Sequence, residues 1–278
     1  MAKSQKNASS ETRPRPFAPQ LFPPGAFIVA AHRGDNSRFP ENTMAAFRGA
    51  AIAGASMMEL DVTLSADGQP VVIHDSTLDR TTNGRGPVSA LTFAELSALD
   101  AGSWFSPRFS GERIPTLEQV FAEFGGKIVI NVEIKSEAAQ IIGDFPPIHV
   151  QVADLVRSHG LCGMVLVSCF DDPVLADLAA FAPEIALGVL SDRPEEPEDA
   201  LFRVKRVNAA SYHQNALLVS RQLVEAMHEN GVMVLAWTRR QDNTPETLKK
   251  MIGLGLDGFF ADDPIAAIAG AARWKEEK

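Results

Sequence analysis

Short apolar segments alternate with amphipathic, helix-like segments along most of the chain. The first apolar segment, FIVAA at residues 27–31, precedes a helical pattern over residues 43–54 and the apolar SMMELDVTL at residues 56–64. The alternation then continues through six more apolar segments, at residues 127–135, 164–168, 185–190, 207–212, 232–237 and 257–261. Buried strands separated by helices are typical of right-handed βαβ units and a parallel sheet. Eight such strands predict an α/β fold, a closed (β/α)8 barrel.

The alternation is interrupted between the second and third apolar segments. Asp67 and Gly68 form a two-residue hairpin signal before PVVIHD at residues 70–75, and Thr92 and Glu95 have the capping-box spacing of a short helix. The next barrel helix begins only at TLEQVFAEF, residues 116–124. We therefore predict an insertion over about residues 65–115, after the carboxyl end of the second strand, where barrels carry their active sites.

Length and composition fit one large domain. Of 278 residues, 45% are hydrophobic, which suits a single barrel over residues 27–278. Residues 1–26 are rich in Lys, Arg, Pro and Ser and contain no apolar segment like that of a signal peptide, so we predict a flexible N-terminal tail. No apolar run is long enough to span a membrane.

Charge and cysteine usage limit the partners and the compartment. A formal charge of -9 disfavours nucleic acid and anionic membrane surfaces as main partners. Cys162 and Cys169 flank an apolar strand that would hold them roughly 20 Å apart, so we expect both to be reduced. These patterns favour a cytoplasmic protein with a small-molecule ligand and no stable membrane association, and they carry no signal for an oligomeric state.

Acidic and basic residues recur at two-residue spacing on two predicted strands. Glu59 and Asp61 point the same way on one strand, as do Glu133 and Lys135 on another, with the apolar Leu60 and Ile134 between them. Three acids and a lysine therefore converge at one end of the barrel. Such a cluster is costly unless a cation neutralises it, and carboxylate ligands suit Mg²⁺, Mn²⁺ or Ca²⁺ better than zinc. Simple salt bridges at the barrel mouth are the alternative interpretation.

Two histidines join this cluster in the predicted geometry. If Asp67 and Gly68 form a tight two-residue turn, Asp61 lies directly opposite His74 on the same face of the hairpin. His32 and Arg33 follow the first strand in the segment AAHRGDNSRFPENT, on a glycine-containing turn at the same rim. Other histidines, including His213 after a predicted strand, lack such neighbours. Trp237, at the end of a strand, could pack in the core or line the pocket.

The ordered motifs of the chain resemble a known family. HRG with PENT, then ELD, VVIHDSTLDRTTNGRG, NVEIK, the AW of Ala236 and Trp237, and ADDP are together similar to the glycerophosphodiester phosphodiesterase family. DAGSWFSPRFSGERIPTLEQV resembles its bacterial cytosolic branch, and the resemblance covers about residues 27–268. It implies a TIM barrel, one divalent cation, Mg²⁺ or Ca²⁺ with Mn²⁺ as an option, and hydrolysis of glycerophosphodiesters to glycerol 3-phosphate and an alcohol.

The resemblance also implies roles for individual residues. The family's metal ligands correspond to Glu59, Asp61 and Glu133, its catalytic histidine pair to His32 and His74, its phosphate contacts to Arg33 and Lys135, and a pocket wall to Trp237. Glu41 and Asn42 correspond to the PENT element. One departure concerns the rim: relatives often have Thr-Val-Asn after the tryptophan, whereas here Arg239 and Arg240 follow Thr238.

Three other functions remain to be compared with this one. A phospholipase-like phosphodiesterase would need an exposed apolar or basic membrane-docking segment. A metal-dependent barrel lyase would use similar acids and a lysine, but it would not need two histidines beside the metal. A non-catalytic phosphodiester-binding module should have lost a histidine or a metal ligand.

Overall fold

The computed structural model describes Phe22 and residues 27–140 and 143–276. Within these residues, eight parallel strands close into a barrel, and one further strand, β3, pairs antiparallel with β2. The strands are β1 (Ile28–Ala31), β2 (Met57–Leu64), β3 (Pro70–Val72), β4 (Val129–Ile134), β5 (Val165–Cys169), β6 (Ala186–Ser191), β7 (Ser211–Asn215), β8 (Met233–Trp237) and β9 (Gly258–Ala261). Pairing of β1 with both β2 and β9 closes the ring, so the predicted barrel is confirmed.

Helices surround the barrel and complete the predicted alternation. They are α1 (Met44–Ala53), α2 (Phe93–Leu96), α3 (Leu117–Phe124), α4 (Ile148–Ser158), α5 (Asp172–Phe181), α6 (Pro197–Arg206), α7 (Arg221–Glu229), α8 (Pro245–Leu254) and α9 (Pro264–Glu276). Several begin with the expected caps; for example, the Thr43 hydroxyl accepts the Ala46 N–H and the Thr92–Glu95 capping box is present. Among the described residues, no helix is both long and apolar enough to cross a bilayer.

Alternate side chains on each strand face the barrel interior or the helices. On β4, Val129 belongs to an interior cluster, whereas Ile130 and Val132 pack in the larger core between strands and helices. Phe22 is buried in the interior cluster. The rest of the predicted N-terminal tail lies outside the described residues.

The segment between β2 and α3 forms the predicted insertion. It contains β3, α2 and two short 3-10 turns, at Val88–Ala90 and Pro107–Phe109, and it has a small apolar core of its own. An isolated antiparallel bridge between Val71 and Thr116 ties it to the start of α3. The insertion therefore emerges from the carboxyl end of β2, beside the barrel opening.

The predicted two-residue turn of the hairpin is wrong by one residue. Val62 pairs with Val72, and Ser65 N–H donates to the Gln69 carbonyl at 3.1 Å, so the loop has three residues. Gly68 has φ +76° and its N–H donates to Ser65, the geometry of a type I turn followed by a glycine bulge. Asp61 is consequently opposite Ile73, not His74, and the Ile73 N–H donates to its carbonyl at 3.1 Å.

The sixth strand of the barrel, β7, also differs from the prediction. The apolar pattern places it at residues 207–212, but α6 extends to Arg206 and β7 begins only at Ser211. His213 is therefore inside the strand rather than after it, and it is fully buried. Its Nε2 bonds to the Ser211 hydroxyl at 2.8 Å and its ring packs on Phe260, so a polar strand can be buried here.

Candidate active site

Three carboxylates from neighbouring strands meet inside the carboxyl end of the barrel. Glu59 and Asp61 lie on β2, Glu133 lies on β4, and the parallel register places Asp61 beside Glu133. One oxygen from each residue lies within 4.8 Å of the others. Glu59 and Asp61 are 2% and 1% exposed, so the carboxylates are close together and poorly hydrated.

The protein alone does not neutralise this group of acids. Burial, with the charges of Asp61 and Glu133, raises the pKa of Glu59 to about 8. Asn131 on β4 pairs in register with Glu59, and its buried amide oxygen lacks a hydrogen-bond partner among the described residues. An all-oxygen set of donors with excess negative charge fits a hard divalent cation such as Mg²⁺, Mn²⁺ or Ca²⁺.

Asp61 is the carboxylate that the surrounding cations stabilise. Lys135 Nζ lies 3.4 Å from its Oδ1, Arg33 Nε lies 3.4 Å from its Oδ2, and Asn42 Nδ2 donates to Oδ2 at 2.8 Å. Burial acts to raise the pKa of Asp61, but Lys135 and Arg33 outweigh it and the pKa is lowered. Lys135 also donates to Glu133 at 2.8 Å.

The turn after β1 holds its residues in an unusual backbone conformation. Arg33 has φ +54° and is followed by Gly34 with φ +81°. The Arg33 N–H donates to Glu59 Oε2 at 2.7 Å, and its carbonyl accepts the Asn42 N–H at 3.0 Å. A side chain at Gly34 would lie 2.6 Å from the backbone of Ala46, so the turn can pack on α1 only with glycine there. The left-handed Arg33 is a strained residue at the candidate site.

Each of the two histidines is paired with a carboxylate through its Nδ1 atom. His32 Nδ1 lies 2.8 Å from Asp262 Oδ1, and His74 Nδ1 lies 2.6 Å from Asp75 Oδ1. Burial and Arg33 act to lower the pKa of His32, but the hydrogen bond to Asp262 and the charge of Glu59 raise it overall. Because both bonds use Nδ1, Nε2 is the ring nitrogen that can exchange a proton with a ligand.

An ion-pair network joins the turn after β1 to the insertion. Glu41 accepts from Arg33 at 2.8 Å and from both terminal nitrogens of Arg80 at 2.8 Å, and Arg80 also binds Asp75. Burial acts to raise the pKa of Glu41, but the two guanidinium groups lower it to about 2. The sequence did not assign Arg80, Asp75 or Asp262 to the site, although each belongs to a motif quoted above.

These side chains surround one cavity of about 390 Å³. Asp61 lies just behind the surface, and the other residues predicted for the site line the cavity: His32, Arg33, Glu59, His74, Glu133, Lys135 and Trp237. His74 lies in this cavity despite the hairpin shift, because β3 ends at Val72 and the alternation of a strand no longer applies. His213 is below the cavity and does not line it.

Trp237 and the β8–α8 loop form one side of the cavity. The Trp237 indole donates to the Ser191 carbonyl at 3.2 Å and meets Phe170 edge to face, with ring centroids 5.7 Å apart. Beyond it, Thr238, Arg239 and Arg240 also line the cavity. The site thus combines a buried acidic centre, two carboxylate-paired histidines, an aromatic wall and a basic rim.

Comparison with known proteins gives consistent results. The model of the family described as "Glycerophosphoryl diester phosphodiesterase family" matches residues 32–266. A glycerophosphodiester phosphodiesterase of Caldanaerobacter subterraneus subsp. tengcongensis is 40% identical over 245 residues, which cover 87% of this chain and 96% of that protein. One of Bacillus altitudinis is 36% identical over 245 residues, covering 86% of this chain and 96% of the relative.

Solved structures resemble the barrel over nearly the same region. A phosphodiesterase of Oleispira antarctica, in complex with the product sn-glycerol-3-phosphate, has a TM-score of 0.78 at 32% identity, covering 88% of this chain and 96% of that one. A glycerophosphodiester phosphodiesterase of Agrobacterium tumefaciens has a TM-score of 0.74 at 29% identity, covering 88% of this chain and 100% of that one.

Proposed function

Because this chain belongs to the glycerophosphoryl diester phosphodiesterase family, we propose that it hydrolyses glycerophosphodiesters to glycerol 3-phosphate and an alcohol in a metal-dependent reaction. The observation that carries the proposal is the meeting of three buried carboxylates with two carboxylate-paired histidines at one cavity. The product sn-glycerol-3-phosphate in the Oleispira antarctica structure supports the same substrate class for this chain.

We assign the metal site to Glu59, Asp61 and Glu133, and we expect one divalent cation, Mg²⁺ or Ca²⁺, with Mn²⁺ as an option. The raised pKa of Glu59 supports this assignment, because it reflects negative charge that the described protein groups do not balance. When bound, the cation would supply positive charge for a phosphodiester oxygen and lower the pKa of a hydroxyl near it.

Arg33 and Lys135 are proposed to bind the phosphodiester, and Trp237 to form the wall of the substrate pocket. Both cationic groups lie 3.4 Å from Asp61. Glu41 also holds the Arg33 guanidinium group, and Glu133 also holds the Lys135 ammonium group, each at 2.8 Å. Such pre-positioned cations stabilise negative charge without reorganising during the reaction. The indole is held by Ser191 and Phe170, so it offers a rigid surface to the substrate.

His32 and His74 are proposed to move protons during two displacement steps. In the first, the glycerol hydroxyl next to the phosphate attacks phosphorus, one histidine takes its proton, and the other gives a proton to the departing alkoxide. The products are a cyclic phosphate and the alcohol. In the second, water attacks the cyclic phosphate, and the same histidines in reversed roles yield glycerol 3-phosphate. A hydroxyl already tethered near phosphorus has a large effective concentration over water.

Two measurements test this function. We expect activity on glycerophosphocholine or glycerophosphoethanolamine to disappear in chelator and to return with one of Mg²⁺, Mn²⁺ or Ca²⁺; full activity in chelator would exclude the metal. We also expect a glycerophosphoethanolamine analogue that lacks only the hydroxyl next to the phosphate to be almost unreactive at saturation. A comparable maximal rate would instead indicate direct attack by water.

The setting of the enzyme is part of the same proposal. We propose a cytoplasmic location, since both cysteines of this chain are free thiols, as is usual in reducing compartments. Fractionation of the cells of origin with compartment markers tests it. Recovery of the enzyme outside the cytoplasmic fraction would contradict this location while leaving the proposed reaction in place.

A further inference from the structure

Two arginines at the rim of the cavity are not used by the proposed reaction. We propose that Arg239 and Arg240 select glycerophosphodiesters whose alcohol portion carries a negative charge of its own, such as a second phosphate. The inference rests on the proposed function, because it concerns the substrate class of the same site.

The other arginines and the lysine that line the cavity are already paired with acids. Arg33 binds Glu41 and Asp61, Lys135 binds Asp61 and Glu133, and Arg80 binds Glu41 and Asp75. Arg33 and Lys135 lie beside the buried carboxylates, where the phosphodiester is proposed to bind. They would therefore contact the part of the substrate that all glycerophosphodiesters share, and Arg80 is already occupied by its two acids.

Arg239 and Arg240 are more exposed than Arg33 and Lys135, and they differ from all three of these cations in pairing. Both are exposed, both line the cavity, and within the described residues neither forms an ion pair. They are also adjacent in the sequence, so two positive charges lie side by side at the cavity rim. Because like charges at adjacent positions repel, an anion that binds between or beside them would relieve that repulsion.

The loop that carries the two arginines is fixed at its base. Asn243 Nδ2 donates to Thr238 Oγ1 and to the Phe260 carbonyl, each at 2.9 Å, and its Oδ1 accepts the Asp262 N–H at 3.2 Å. Residues Arg240–Asp242 form a short 3-10 turn above this base. The guanidinium groups thus project from a tethered loop next to the residue that binds His32.

The chemistry of the substrate determines which end reaches these arginines. The attacking hydroxyl belongs to glycerol, so glycerol must lie near the buried carboxylates, where Glu59 is only 2% exposed. The alcohol on the other side of phosphorus must then extend towards the exposed opening of the cavity. Arg239 and Arg240 lie at that opening, so they would contact the variable part of the substrate rather than the shared part.

The expected effect is moderate because the arginines are exposed. An ion pair at a solvated rim is screened by water and salt, and removing one partner changes affinity by up to about 5-fold. Loss of both arginines should therefore lower the preference for a doubly charged phosphate on the alcohol by about 10-fold. The effect should weaken as ionic strength rises, since the Debye length falls from about 14 Å at about 0.05 M salt to about 4 Å at about 0.5 M.

The experiment compares two substrates that differ by one phosphate group. Glycerophosphoinositol 4-phosphate and glycerophosphoinositol share the glycerol, the phosphodiester and the ring. We expect the wild-type enzyme to have the higher kcat/KM for the phosphorylated substrate. The Arg239→Gln/Arg240→Gln variant should lose this preference by about 10-fold while retaining activity on glycerophosphoinositol, whose alcohol portion is uncharged. In wild type, added salt should reduce the preference; in the variant it should have little effect.

A matched control removes two adjacent cations elsewhere. Lys205 and Arg206 are exposed at the end of α6 and do not line the cavity. The Lys205→Gln/Arg206→Gln variant carries the same change in net charge, and it should keep the wild-type ratio. A loss of preference in this control would assign the effect to the overall charge of the protein and overturn the proposal.

The remaining outcomes separate this inference from the proposed function. Equal kcat/KM for both substrates in wild type, or an equal loss on both in the arginine variant, would overturn the selection of anionic alcohols and leave the reaction intact. Binding to anionic phospholipid vesicles that only the arginine variant loses, with an unchanged substrate ratio, would overturn it in favour of membrane docking. Absence of hydrolysis of every glycerophosphodiester with every metal would remove the proposed function itself.

Discussion

The hydrogen bond between His32 and Asp262 can be weakened without changing the shape of the site. Asp262 Oδ1 accepts from His32 Nδ1 at 2.8 Å and from Asn36 Nδ2 at 2.9 Å. In an Asp262→Asn variant, the amide oxygen can take the same position and accept both bonds. The substitution therefore removes mainly the negative charge that stabilises a protonated His32.

The size of the effect follows from the strength of the two kinds of bond. A hydrogen bond to a charged group contributes about 1.5–3 kcal/mol, whereas a neutral one contributes about 0.5–1.5 kcal/mol. The loss of charge should thus destabilise the imidazolium by about 1.4 kcal/mol, which equals about one pKa unit. His32 and Asp262 are 19% and 13% exposed at the side chain, so solvent weakens the interaction only partly.

The direction of the change can be read from a pH–rate profile. Asp262 raises the pKa of His32, so its neutralisation must lower that pKa. We expect one limb of the kcat/KM profile to move to lower pH by about one unit. If His32 acts as the acid, the alkaline limb moves, because activity is lost when the ring deprotonates. If it acts as the base, the acidic limb moves. The limb that shifts therefore assigns the role of His32.

The neighbouring aspartate provides a control for this measurement. Asp263 binds Arg38 at 2.5 Å and caps α9 by accepting the Ala266 N–H at 2.9 Å, and it does not line the cavity. Asp263→Asn removes the same charge one residue away and retains a capping side chain. Its profile should match wild type. If both limbs of the Asp262→Asn profile stayed in place, the pairing of His32 with Asp262 would not control proton transfer.

Three further predictions concern the metal centre and the turn after β1. Glu133→Gln should weaken divalent-ion affinity, measured by calorimetry, with only partial recovery of activity at high metal concentration; wild-type affinity would remove Glu133 from the ligand set. Because the pKa of Glu59 is raised to about 8 without metal, ion binding should release a proton below that pH and tighten as pH rises towards it; affinity independent of pH in this range would contradict the assignment. Gly34→Ala should cost about 2–3 kcal/mol of unfolding free energy, more than Gly126→Ala, since both have positive φ but only Gly34 would contact Ala46; equal losses would refute the packing argument.

The carboxylate cluster is predictable from the sequence because strand geometry is regular. Residues two apart on a strand face the same side, and neighbouring strands of a barrel end at the same rim. These two rules bring together Glu59, Asp61 and Glu133, and the structure has their oxygens within 4.8 Å of one another. No knowledge of long-range packing is needed for this part of the site.

The hairpin shows where such regularity ends. Asp67-Gly68 suits a two-residue turn and also a three-residue loop with glycine at its left-handed position, and the sequence does not distinguish the two. The structure has the second, which shifts the register by one residue. His74 still lines the cavity because it follows the end of β3. The predicted position of His74 is therefore correct, but the hairpin register from which it was predicted is wrong.

Long-range polar contacts explain the remaining differences. Arg80 joins the site by binding Glu41, which is 39 residues away, and His32 binds Asp262, which is 230 residues away. No local sequence pattern predicts contacts between residues so far apart in the chain. On β7, Ser211 and His213 bond to each other, so this strand can be buried although it contains polar residues. A search for apolar residues therefore predicts that the strand begins at residue 207, four positions before its start at Ser211. Only the folded chain reveals these partners.

The different partners of the two aspartates also make the two histidines chemically unequal. Asp262 shares its oxygen between His32 and the neutral amide of Asn36. Asp75 shares its oxygen between His74 and the cationic Arg80, which lies 2.9 Å away. Within the described residues, Asp262 pairs with His32 and has no guanidinium partner, and His74 pairs with Asp75 instead. Loss of the Asp262 charge should therefore act mainly on His32, so a shifted limb in that variant can be attributed to one histidine of the pair.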